Sequence, residues 1–115
     1  MFTYSRAEVL MVDFGSTPNE ARGHEQAFVR PALVVQVFEN SKLLVVVPFS
    51  SRPYAVQAFP VVMVPANTGG LTQDSWALCH HVRSISALRV KKYLGNLPEL
   101  EFEMVLEVLA DFLAA

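Results

Sequence analysis

A small, curved antiparallel β-sheet or partly open barrel with one helix packed on it is the fold class this sequence predicts. Three observations predict it. Short apolar, β-prone runs recur between residues 8 and 85, separated by polar or Gly- and Pro-bearing loops. After residue 98 the apolar spacing changes from strand-like to helical. Neither repeats nor a linker interrupts the 115 residues, so a single domain spanning 1–115 is expected.

The first strand is Glu8 to Phe14, an apolar β-prone run. Gly15 to Gln26 is rich in turn formers and charge and reads as a loop. Pro31 to Phe38 is a buried strand, and Pro31 marks its start because proline cannot donate to a ladder. Glu39 to Lys42 turns the chain into a third strand, Leu43 to Phe49, followed by a polar loop over Ser50 to Tyr54. Ala55 to Val64 is extended, bulged or broken at Pro60. Ala66 to Gln73 is a Gly-rich loop, and Asp74 to Ile85 is expected to be one last strand. A short helical piece covers Ala87 to Leu94.

The closing helix has the clearest signature. Phe102, Val105, Leu106, Leu109, Phe112 and Leu113 fall on one stripe, with Glu99, Glu103, Glu107 and Asp111 on the other face. Asn96 is expected to cap it, with Pro98 in the first turn and Glu99 as the capping partner.

Composition narrows the function classes. At 52% hydrophobic the chain fills a core and does not read as disordered. Its single cysteine, Cys79, forbids an intrachain disulfide and suits a reducing cytoplasm. The N-terminal run MFTYSRAEVL lacks the apolar core of a signal peptide, and no stretch of about 20 mostly apolar residues exists. A soluble, cytoplasmic protein with no membrane partner is expected. The net charge is −2, but five of the eleven carboxylates lie within Glu99–Asp111. Residues 1–98 carry nine Lys and Arg against six Asp and Glu, a formal +3, which is compatible with a phosphate backbone.

Four segments carry a family resemblance. Gly23 to Val35 reads GHEQAFVRPALVV, and Val45 to Arg52 reads VVVPFSSR. Gly70 to Ser86 reads GLTQDSWALCHHVRSIS, and KYLGNLPELEFEMVLEVL follows. In this order they resemble the MazF/PemK toxins over nearly the whole chain. The resemblance implies an SH3-like small barrel with a C-terminal helix, a homodimer, single-stranded RNA as substrate and a cognate antitoxin protein as partner. It implies sequence-specific cleavage without a metal or other cofactor: the RNA's 2′-hydroxyl attacks the phosphate, leaving a 2′,3′-cyclic phosphate and a 5′-hydroxyl. The alternative is a non-catalytic or degenerate member that acts by binding alone. The related CcdB toxins poison gyrase on this scaffold without cutting anything.

The resemblance assigns Arg30 to the family's catalytic arginine. A planar, permanently charged guanidinium suits charge building on a phosphorane oxygen. It assigns Ser50 to the active-site hydroxyl, with Ser51 beside it, and Glu25 to an acidic residue near the site. His24 is a loop histidine whose ordinary pKa suits acid or base work. His80 and His81 stand where many relatives have an acidic residue and Gln, and His80 is the candidate replacement base. As neighbours in a strand, the two rings are expected on opposite faces. Arg52 and Arg83 are candidate phosphate contacts, and Phe28, Trp76 and Tyr54 could stack on bases. Phe28 and Ala7 occupy positions where relatives often have Gly. Cys79, His80 and His81 are too closely spaced to converge as metal ligands, and Cys79 reads as inert packing.

Overall fold

The computed structural model describes residues 3–15, 29–52 and 60–114. Seven antiparallel strands are seen among them: β1 (Glu8–Asp13), β2 (Val29–Phe38), β3 (Leu43–Ser50), β4 (Val61–Val64), β5 (Ser75–Leu78), β6 (Arg83–Ser86) and β7 (Val90–Asn96). Helix α1 (Glu99–Ala114) follows. The sheet runs β4-β5-β3-β2-β1-β7, with β6 also on β3. The expected mainly-β fold with a C-terminal helix is therefore present.

Strands β1 to β3 are buried on both faces, which explains their nearly continuous apolar runs. Alternate residues feed two clusters. Val9, Leu33 and Val47 point into the cluster that α1 closes with Phe102, Val105 and Leu109. Leu10, Val34 and Val46 point into the other, with Leu44 and Ile85. Bulges bend the sheet: the β1–β7 register shifts after Val9 and after Met11, and the β2–β3 register shifts between Val34 and Gln36.

Four expectations are corrected. First, β2 begins at Val29, and Pro31 lies inside it opposite Met11. The β2–β3 ladder stops at Ala32–Pro48, so two prolines without N–H donors flank the place where these strands part. Second, Asp74 to Ile85 is not one strand. β3 pairs with β5 through Phe49–Ala77 and Ser50–Trp76, and with β6 through Leu43–Ser86 to Val46–Arg83. The two registers differ by three residues, the length of the 3-10 turn Cys79–His81 extruded between them. His80 and His81 therefore sit on a turn, and strand alternation does not govern their rings.

Third, within Ala87 to Leu94 only Ala87–Arg89 is helical, and Val90–Asn96 instead covers the free edge of β1. Fourth, Asn96 ends β7, and its side chain accepts a hydrogen bond from the Tyr93 hydroxyl. The first helical bond runs from Phe102 N–H to Pro98 O, so Pro98 holds the capping position. The stripe of α1 is also shorter than its sequence pattern. Phe112 and Leu113 are 37% and 66% exposed. A 16-residue helix is about 24 Å long, whereas the four residues of β4, against which it packs, span about 13 Å.

Among the described residues, Ala7, Lys42 and Asn67 are left-handed although none is glycine. Ala7, at φ 75°, donates its N–H to Val34 O and accepts from Leu97 N–H, both at 2.8 Å. The Cβ there costs about 1 kcal/mol, so the departure from glycine at this position has a structural cost. Lys42, at φ 55°, closes the β2–β3 hairpin and is exposed. Lys42→Gly is expected to stabilise the fold by about 0.5 kcal/mol, the left-handed strain relieved less the extra freedom of glycine when unfolded. Urea unfolding checks this, and a midpoint that falls would refute it.

Candidate functional site

Where β2 and β3 part, a cavity of about 440 Å³ opens. Val29, Arg30 and Pro31 line it from β2; Phe49 and Ser50 line it from β3, followed by Ser51 and Arg52. Gly70 to Gln73 and Ser75 supply another part of the wall, and Met11, Lys92 and Leu94 complete it. The proline pair marks the end of the ladder and the start of the opening: among the described residues β3 keeps only β5 as its neighbour beyond Pro48, and β2 keeps only β1.

The charge of the lining is one-sided. Among the described residues that line it, Arg30, Arg52 and Lys92 are cationic, Ser50, Ser51, Thr72 and Ser75 bring hydroxyls, and none is acidic. Such a wall attracts an anion and has donors to bind it. Arg30 is half-buried on β2 and paired in register with Val12, so its guanidinium starts from a rigid strand. Ser50 Oγ accepts the Arg52 N–H at 3.2 Å, which folds the chain back at the strand end. That bond uses an oxygen lone pair and leaves the hydroxyl proton available to a ligand.

The sequence candidates divide. Arg30, Ser50, Ser51 and Arg52 come together on the cavity. His24, Glu25, Phe28 and Tyr54 lie outside the described residues. Arg83 is exposed at the start of β6, does not line the cavity, and stands 5.5 Å over the Phe14 ring. Trp76 is half-buried in β5 and also lies off the lining. Lys92, Thr72 and Gln73 were not singled out from sequence. Val90, Lys92 and Leu94 alternate as a strand face would, but that signal was hidden under the helical reading of Ala87 to Leu94.

The turn Cys79–His81 holds the two rings edge to face, with centroids 4.3 Å apart. His80 is half-buried, and its Nδ1 is buried with no hydrogen-bond partner among the described residues. His81 is the exposed one, and it is His81 that feels Arg30. Its pKa lies below the ordinary 6.5, first through burial, then through the charges of His80 and Arg30. The ring is therefore neutral at neutral pH and able to accept a proton. Because the folded state resists that proton more than the unfolded chain does, this residue's contribution to stability rises as pH climbs to about 6.5 and falls on acidification below it. An NMR titration of His81 is expected to give a midpoint below 6.5 that moves upward in Arg30→Ala. A wild-type midpoint at or above 6.5 would contradict the placement.

Cys79 is fully buried and its Sγ lies 3.9 Å from Ala77 O, while burial pushes its thiol up to about 11. It is no nucleophile at neutral pH. Among the described residues no group of three His, Cys, Asp or Glu is placed to hold a metal. None of the helices there is long and apolar enough to cross a membrane.

Comparison with known proteins gives the family and the fold. A family model described as PemK-like, MazF-like toxin of type II toxin-antitoxin system matches residues 5–113. The fold is similar to a crystal structure of MazF from Deinococcus radiodurans, with a TM-score of 0.74 and 24% identity over 100% of both chains. It is also similar to MazE-MazF structures from that organism. One has a TM-score of 0.68 and 21% identity over 98% of this chain and 97% of that one. Another has a TM-score of 0.68 and 20% identity over 96% of each.

Proposed function

The chain belongs to the PemK-like, MazF-like toxins of type II toxin–antitoxin systems, and from that membership we propose that it is a sequence-specific, metal-independent endoribonuclease acting on single-stranded RNA in the cytoplasm. The observation that carries this reading is the cavity whose described lining holds three cations and several hydroxyls.

In the proposed step the 2′-oxygen of one ribose forms a bond to the adjacent phosphorus and the bond from phosphorus to the 5′-oxygen breaks. The products are a 2′,3′-cyclic phosphate and a 5′-hydroxyl. Arg30 neutralises the charge that builds on the equatorial oxygens. The Ser50 hydroxyl donates to the same phosphate. Arg52 and Lys92 hold neighbouring phosphates, positioning the strand without reading its sequence. The 2′-proton leaves to a base. The resemblance offers Glu25 or, in place of the usual carboxylate, His80 for this role, and the adjacent His81, whose ring feels the Arg30 charge, offers a neutral imidazole. A second copy of the chain completes the RNA groove. An antitoxin masks it, as the MazE–MazF pairing of the Deinococcus proteins suggests.

Incubation of the purified protein with a long, weakly structured RNA in EDTA tests the reading. Discrete cuts bearing cyclic-phosphate and 5′-hydroxyl ends support it. Intact RNA from folded, antitoxin-free protein would sink it and favour a toxin that acts by binding alone.

A further inference from the structure

One part of the cavity wall has a different character from the cationic part. The loop from Ala66 to Asp74 is tied down along its length. Asp74 Oδ1 accepts the Ala66 N–H at 2.8 Å, Asn67 N–H donates to Leu71 O at 2.7 Å, and Ser75 Oγ donates to Gln73 O at 2.9 Å. Leu71 is anchored in the core at 4% exposure. On this fixed frame Thr72 and Gln73 are exposed and line the cavity.

From this placement we propose that Gln73 is a base-reading residue, its carboxamide pairing with the edge of an unstacked base beside the phosphate held by Arg30, Arg52 and Lys92, with adenine preferred. The inference rests on the ribonuclease reading above and deepens it. The cations already serve the phosphates, and a neutral amide adds little there. It does present a donor and an acceptor side by side, which match the N6 amine and the adjoining ring nitrogen of adenine. Thr72 has one hydroxyl that both donates and accepts, so it discriminates poorly between bases. Because the Gln73 backbone is already held, only its side chain must be ordered when RNA binds. Single-stranded RNA exposes such edges, whereas a duplex hides them.

Wild type, Gln73→Ala and Gln73→Glu would each be used to select from a randomised single-stranded RNA pool and to cut a long RNA whose ends are mapped. Wild type is expected to enrich adenine at one position. Gln73→Ala should lose about tenfold of that preference at that position alone, with the other positions and the unfolding midpoint unchanged. Gln73→Glu, which only accepts, should shift the preference toward cytosine. Identical base profiles in all three proteins, a uniform loss across all sequences, or a preferred base other than adenine would overturn the proposal while leaving the ribonuclease reading intact. If wild type neither binds nor cuts any RNA, that reading falls and the proposal falls with it.

Discussion

Arg30→Ala is expected to slow RNA cleavage by about 10²–10³-fold, the usual cost of removing one fixed donor from a site where charge develops. The unfolding midpoint should move far less. Arg30 is half-buried near the start of β2, where the backbone pairing with Val12 does not depend on the side chain. Arg30→Lys should recover little, because an ammonium cannot present two parallel N–H groups to a phosphate. Single-turnover cleavage of a mapped site, measured beside thermal unfolding, checks both halves. Undiminished cleavage in Arg30→Ala would remove this residue from the catalytic site and leave the cleavage to other groups.

Gly70→Ala is expected to cause the largest loss of stability, about 2–4 kcal/mol, combining left-handed strain with overpacking. Gly70 has φ 82°, and a Cβ there would stand 2.2 Å from the carbonyl oxygen of Leu94. That atom belongs to β7 and cannot move without disturbing the β1–β7 ladder. For a domain of this size the melting point should fall by roughly 10 °C. Differential scanning calorimetry reads the effect directly. A shift below about 2 °C would mean that the loop can leave β7 at little cost. Since Gly70 begins the segment that carries Thr72 and Gln73, any variant that survives should also bind RNA less selectively.

The parts of the fold that were legible are those set by local pattern. β1, β2 and β3 announce themselves as apolar runs, and α1 through its spacing. What escaped was decided by pairing between distant residues. Val90–Asn96 is a strand because β1 offers it a free edge, and nothing in its own residues forces that outcome. The extrusion of Cys79–His81 reflects a three-residue surplus against β3, invisible without knowing both registers. The end of the helical stripe at Leu109 reflects how short β4 is. For the site, Arg30, Ser50, Ser51 and Arg52 were readable through the family pattern around them. Lys92 and Gln73 were not, because their place on the cavity depends on which strands part and which loop leans into the gap.

Cys79 also gives this protein a built-in gauge. Its sulfur is shut between the sheet and α1 and held in the unreactive thiol form. A small alkylating reagent can reach it only when the molecule opens. The labelling rate in native buffer therefore reports how often the interior is laid open, without an engineered probe and without denaturant. Mass spectrometry of the singly modified chain would count those openings directly, in the free protein and again with a bound ligand.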